Sequence, residues 1–467
     1  MKQLLSFLIL ITSLSPVWSQ TDLQSRLDKI VQDFLPPGSE IGISVYDLTE
    51  KKQLYSNRDD KLCRPASTMK LLTAITALDI PGGSEPFQTD MWYKGIIEND
   101  TLQGDLYVVG GFDPEFGDDE MNLLVDGVLT LPITHIKGKI YGDVSMKDSL
   151  YWGSGWAWDD TPASFQPYLS PLMFHKGIVT VTASPTVKGD TASLTLEPVS
   201  SFYTVNNQTQ SRTPAAGKFN VSRNWLENGN NIIVEGNITS RRIGEVNMYP
   251  SQDFFMHTFM DRLRNRGIYV DSVYSYAEFI HDSTAVHITR LECPVQDILD
   301  EVMKKSDNLN AEALLYRLGA QCEGRKGISA EDGLKAVERL IQRLGHNPKS
   351  YRLADGCGLS NYNYISPVLL VDFLKYAYSS TGIFQRLYKS LPAAGVDGTL
   401  QYRMGGESVA RRKVHAKTGS FTGICTLAGY AQASNGNDIA FAIMNQNVLK
   451  LADARKLQDK ICEALCE

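Results

Sequence analysis

Ser67 and Lys70 stand three residues apart at the head of an apolar run from Pro65 to Leu78. On a helix, positions i and i+3 share one face, so this hydroxyl and this amine can meet as nucleophile and base of an acyl transfer. The spacing alone is weak, because a chain of this length holds roughly two Ser-x-x-Lys matches by chance. Its setting carries more. Nearly every position from Met69 to Leu78 is apolar, the pattern of a helix buried on all sides, and Pro65 is tolerated at or before its first turn. Desolvation and nearby positive charge favour the neutral form of a lysine placed there, and a neutral amine can accept the hydroxyl proton. The plain alternative is Ser67 as a helix cap with Lys70 snorkelling to water.

Two further fragments supply partners. Ser306-Asp307-Asn308 lies between an apolar stripe at Val295, Ile298, Leu299 and Val302 and a second at Leu314, Leu315 and Leu318, so it is expected at a helix junction, where a hydroxyl and an amide can face a cleft. Such residues also serve as ordinary N-caps. Lys417-Thr418-Gly419-Ser420 precedes strand patterns from Ile424 to Tyr430 and from Ile439 to Met444, with a turn near Asn435-Gly436-Asn437. On a strand edge, Lys417 attracts a substrate carboxylate, the backbone can pair with an extended peptide, and Gly419 leaves room for that approach. The alternative is a plain strand end with a solvated lysine.

The ordered set Ser-x-x-Lys, Ser-Asp-Asn, Lys-Thr-Gly is the signature of class A β-lactamases and penicillin-binding proteins. Spacing separates the branches. Ser67 and Ser306 lie 239 residues apart (306 minus 67), whereas Ser306 and Lys417 lie 111 apart (417 minus 306), so a large insertion follows the first motif. Over nearly all of its mature length the chain resembles the class C low-molecular-mass penicillin-binding proteins, the D-alanyl-D-alanine carboxypeptidase/endopeptidase family. The resemblance rests on the three motifs and on Gly104 to Gly111 with Asp113-Pro114, Gly155-Trp156-Ala157-Trp158-Asp159-Asp160, Ala311-Glu312, Asp355-Gly356-Cys357-Gly358-Leu359-Ser360, Leu391 to Gly395, and Gly398-Thr399-Leu400. The chain departs from the pattern at Cys357, where the family usually has serine, and at Gly111-Phe112-Asp113, usually richer in glycine.

The elements that must position these residues come from both ends of the chain. Strand patterns at Ile41 to Tyr46 and Gln53 to Ser56 precede the Ser67 helix, the other sheet strands are C-terminal, and a helix from about Leu451 to Leu465 closes the chain. The fold class expected is α/β: a penicillin-binding, transpeptidase-like catalytic domain with a mostly antiparallel sheet and a helical subdomain. Residues from about 84 to 285 are β-rich and turn-rich. The family pattern implies residues 20–83 and 286–467 as a discontinuous catalytic domain, 84–175 and 240–285 as an inserted domain, and 176–239 as a second insert nested in it.

The resemblance implies hydrolysis of D-Ala-D-Ala, or of a related D-centre crosslink, in peptidoglycan stem peptides through an acyl-serine, with β-lactams acylating the same residue. Ser67 is the expected nucleophile, Lys70 its base, Ser306 a proton relay to the leaving amine and Asn308 a substrate holder; Lys417 fixes substrate and keeps Lys70 uncharged. Thr418, Gly419 and Ser420 are expected to bind substrate, and the backbone N–H groups of Ser67 and Ser420 to form an oxyanion hole. Trp156, Trp158, Asp159 and Asp160 could hold a cationic group of the stem peptide, with Asp160 singled out by the resemblance; tryptophans in a turn-rich segment also serve as local core. A β-lactamase and a catalytically silent cell-wall-binding protein are the rival readings.

Composition bounds the rest. Residues 1–19 carry one cation, an apolar centre and a small residue at Ser19, the pattern of a secretory signal, with no cysteine following it for a lipid anchor and no later stretch apolar enough to span a bilayer. Export to a bacterial periplasm is expected. The 46 basic and 53 acidic residues give a net charge of -7 with no basic run, which argues against nucleic acid. Seven cysteines permit up to three bridges in an oxidising compartment and cannot all pair within one chain. Neither they nor the seven scattered histidines show metal-site spacing, and no cofactor is expected.

Overall fold

The computed structural model describes residues 20–467; the expected signal segment, 1–19, lies outside the described residues. A five-stranded antiparallel sheet carries the two chain ends. Its strands are β1 (Glu40–Asp47), β2 (Lys52–Asn57), β3 (Val414–Phe421), β4 (Gly423–Gln432) and β5 (Asp438–Val448), in the order β3-β4-β5-β1-β2. The N-terminal hairpin and the C-terminal meander are joined through the β1–β5 ladder, in which Ile43 faces Ile443. Strands β4 and β5 are buried at nearly every position because helices cover both faces, which is why they read as continuous apolar runs. Alternation decides the partner. Ala428, Tyr430, Ala440 and Ala442 pack into a large helical core, while Leu427, Ala431, Ile439 and Phe441 face a second core closed by α-helices at the two termini.

Five helices matter for the site: α1 (Gln20–Phe34), α2 (Met69–Asp79), α3 (Asn308–Glu323), α4 (Pro367–Ser379) and α5 (Leu451–Cys466). Helix α2 is buried from Met69 through Ala77, as its uninterrupted apolar pattern predicts. It lies in the helical core with Ala311, Leu315 and Leu318 of α3 and Leu369, Leu370 and Phe373 of α4, so the Ser67–Lys70 turn is anchored from behind.

The insertion builds its own seven-stranded sheet around the strands Phe87–Glu98 and Thr101–Gly110, and two three-stranded sheets beyond it. Two ladders run across the expected boundaries. Strand Ala285–Cys293 pairs with Phe87–Glu98 down to Cys293 opposite Phe87, so the insert's sheet continues past 285. Strand Arg242–Asn247, beyond 239, pairs with Ile178–Ser184. All seven cysteines are free thiols, six of them buried. No helix among the described residues is long and apolar enough to cross a membrane.

Candidate active site

Ser67 sits in a single 3-10 turn, Ala66–Thr68, that runs into α2. It does not cap that helix. Ala66 adopts φ 46°, a left-handed conformation costly for alanine, and packs its carbonyl against Gly358, where no side chain could fit. The turn leaves Ser67 half-buried and Lys70 fully buried.

Lys70 Nζ has three neighbours: Ser67 Oγ at 2.9 Å, Asn308 Oδ1 at 2.7 Å and the Cys357 carbonyl oxygen at 2.7 Å. Two of them can only accept. A neutral amine carries two N–H donors and one lone pair, so donating to Asn308 and Cys357 leaves the lone pair directed at the Ser67 hydroxyl. In that neutral form the Ser67 hydroxyl is the donor and Lys70 the acceptor. Burial pushes the Lys70 amine below its usual range, against the pull of the Asp355, Asp307 and Glu312 carboxyls.

Glu312 weakens that pull. One turn along α3 from Asn308, and on the same face, it is fully buried and accepts from the backbone N–H groups of Gly356 and Cys357, both at 2.8 Å. Burial and the neighbouring Asp355 charge push its carboxyl up to about 8, which favours its neutral form. Asp355 accepts from Gly358 N, Ser360 N, Asn363 Nδ2 and Trp156 Nε1, which fixes the 355–360 loop. These two carboxyls together aim the Cys357 carbonyl at Lys70. Sequence reasoning quoted both residues and assigned them no part; the i, i+4 spacing of Asn308 and Glu312 was the available signal. The departure at Cys357 leaves Lys70's contact intact, because that contact is to backbone.

Ser306 and Asn308 come from the junction expected. A π-turn, Glu301–Lys305, ends at Ser306 in the left-handed region (φ 63°), and Asp307 caps α3 through Oδ1 to Asn310 N. The strained residue thereby presents its hydroxyl to Lys417 Nζ at 2.8 Å. Lys176 of the insert braces this loop through Asp307 at 2.8 Å, Glu115 at 2.8 Å and Glu301 at 3.1 Å, and Asn308 Nδ2 donates to the Phe165 carbonyl at 2.7 Å. The insertion is thus part of the site's scaffold.

Lys417 differs from expectation. Its side chain is fully buried behind edge strand β3, hydrogen-bonded to Ser306 and to the Thr418 carbonyl, and no open ammonium faces the cleft. Burial, then the charge of Lys70, holds its amine well below the usual lysine range. Thr418, Gly419 and Ser420 line a cleft of about 650 Å3, and Ser306, Asp307 and Asn308 another of about 370 Å3. A Cβ on Gly419 would lie 2.8 Å from Ser67 N and from the Pro65 carbonyl oxygen, so this glycine is required for strand and nucleophile turn to touch. Asp160 is half-buried in a short turn (Trp158–Asp160), and burial and Asp159 raise its carboxyl.

The conserved description of the D-Ala-D-Ala carboxypeptidase 3 (S13) family matches residues 23–466, almost the whole chain. The chain belongs to that family. Within its wider kin, the D-alanyl-D-alanine carboxypeptidase of Actinomadura sp. is 28% identical over 449 residues, covering 91% of this chain and 81% of that protein. The solved structure of penicillin binding protein 4 (dacB) from Haemophilus influenzae has the same fold, with a TM-score of 0.79 at 23% identity over 93% of this chain and 98% of that one. The same Haemophilus protein complexed with a β-lactam gives a TM-score of 0.73 at 22% identity, with the same two coverages.

Proposed function

We infer that this S13 family member is a serine-type D-Ala-D-Ala carboxypeptidase/endopeptidase of peptidoglycan stem peptides, acylated by β-lactams at Ser67. The observation that carries the reading is the Lys70 amine held between two pure acceptors with its third direction on the Ser67 hydroxyl. In the proposed reaction Lys70 takes the Ser67 proton as Oγ bonds to the penultimate D-Ala carbonyl carbon. The oxyanion is received by the backbone N–H groups of Ser67 and Ser420. As the C–N bond breaks, the leaving amine takes a proton through Ser306, whose hydroxyl Lys417 orients, and water then hydrolyses the ester.

Edge strand β3 is bridged on its outer side by residues 392–394 at Val414–Ala416, and beyond that bridge it offers the substrate its backbone edge, with Thr418, Gly419 and Ser420 in the binding role. Asp160 is proposed as a contact for a cationic side chain of the stem peptide, supported by its neighbour relation to the 161–166 segment that reaches Asn308 through Phe165. The division into a catalytic domain of 20–83 and 286–467 around an insert of 84–285 belongs to the same proposal, with the two ladders above adjusting its edges. Export to a periplasm follows from residues 1–19 and from the location of the substrate. Incubation with purified muropeptides, read by mass, tests the reading: loss of one D-Ala, or scission of a crosslinked dimer, is expected, and unchanged muropeptides together with rapid penicillin turnover would overturn it.

A further inference from the structure

Beside the acylation cleft the insert forms a pocket of about 280 Å3 walled by Trp152, Trp156, Trp158, Trp225 and Tyr168. It holds four of the chain's six tryptophans, and Trp152 and Trp158 are 52% and 71% exposed. Large indoles normally bury themselves, so rings left open around one hollow mark a surface kept for a ligand. The volume lies at the small end of ligand pockets and suits one ring more than a chain.

The floor has a polar feature that names the ligand's chemistry. Gln166 is only 7% exposed, and its amide nitrogen donates to the Ala157 carbonyl at 3.0 Å and to Thr161 Oγ1 at 3.1 Å. Those bonds set the orientation of the amide. Gln166 Oε1 is buried with no partner. A buried acceptor left unpaired is costly, and a ligand hydroxyl or amide N–H that reaches it, displacing the side chains that now cover it, removes that cost. The walls are rigid: buried Arg223 donates to the Tyr168 hydroxyl at 3.0 Å, and Trp156 Nε1 donates to Asp355. Trp158 and Trp225 lie 5.6 Å apart at 35°, opening as a wedge of two aromatic faces.

We propose that this pocket is a sugar subsite, taking an N-acetylhexosamine ring of the peptidoglycan glycan strand. A pyranose combines an apolar C–H face, which stacks on indole, with hydroxyl and acetamido N–H donors for Gln166 Oε1. The location agrees, since Gln166 adjoins Phe165, whose carbonyl holds Asn308. The pocket therefore adjoins the cleft lined by Ser306 and Asn308, with Pro167 lining both. The inference rests on the peptidoglycan reading above and adds a second point of attachment to it.

Titration of the full chain with N-acetylglucosamine tetramer, followed by tryptophan fluorescence, tests the subsite. A saturable change is expected; Trp225→Ala should weaken it by about two- to tenfold, the loss of one stacked face. Gln166→Met, which retains bulk without the acceptor, should also weaken it, and thermal midpoints of both variants establish that they fold. No saturable change with the wild type, equal binding by both folded variants, or a change produced only by sugar-free stem peptide would overturn the proposal. Penicillin acylation measured on the same wild-type sample separates the two readings: acylation without sugar binding removes the subsite alone, while sugar binding without acylation removes the peptidase.

Discussion

Replacing Asn308 by aspartate keeps size and shape but puts a carboxylate where Lys70 now has a neutral acceptor at 2.7 Å. At an effective dielectric constant of about 20, unit charges at that separation attract by about 6 kcal/mol, an upper bound because burying the new carboxylate opposes it. Opposite charges this close raise an amine by about 1 to 3 pH units. The ammonium then donates to all three neighbours and has no lone pair for Ser67. Stopped-flow acylation by a chromogenic cephalosporin across pH is the assay. Asn308→Asp is expected to move the acid limb up by about 1 to 3 units and to slow acylation near pH 7 by about 10- to 1000-fold, with the rate recovering as pH rises. A uniform loss with an unmoved limb, or no loss, would refute the assignment of Lys70 as base.

Other perturbations separate neighbouring roles. Lys417→Ala removes the donor to Ser306 and should slow acylation by about 10- to 100-fold, the scale of a hydrogen bond to a polar partner in a closed site; unfolding without a selective kinetic loss would count against its part. Gly419→Ala forces strand β3 away from the Ser67 N–H and should cost about 100- to 1000-fold in acylation through the oxyanion hole, whereas near-normal rates would exclude that hole. Glu312 titrates at about 8 folded against an ordinary 4.5, so the folded state holds the extra proton between those values and stability falls as pH rises through the window. Glu312→Gln keeps an acceptor for Gly356 and Cys357 and is expected to flatten that fall in thermal midpoint; an unchanged slope would mean the carboxyl is already ionised in the fold.

The three motifs, the buried α2 helix and the sheet assembled from both termini were legible because each is written locally, in a spacing or a period. Strand ends came within a few residues, since Gln53 to Ser56 and Ile439 to Met444 fall inside longer strands whose terminal residues lack the apolar signal. What stayed hidden is carried by backbone or by distance. The Cys357 carbonyl and the Phe165 carbonyl have no side-chain identity to read, and the left-handed Ser306 is imposed by a π-turn. The burial of Lys417 depends on Ser306 packing over an edge strand from 111 residues away. Glu312 could be read only after Asn308 was known to face the site.

The central claim is that Ser67 is the residue acylated, with Lys70 set to take its proton. Incubation of the purified protein with penicillin, followed by proteolysis and mass mapping, measures it most directly. A single acyl adduct on the peptide containing Ser67, absent from Ser67→Ala and strongly slowed in Lys70→Met, is the predicted result. An adduct that survives Ser67→Ala, or maps to another residue, would contradict the account.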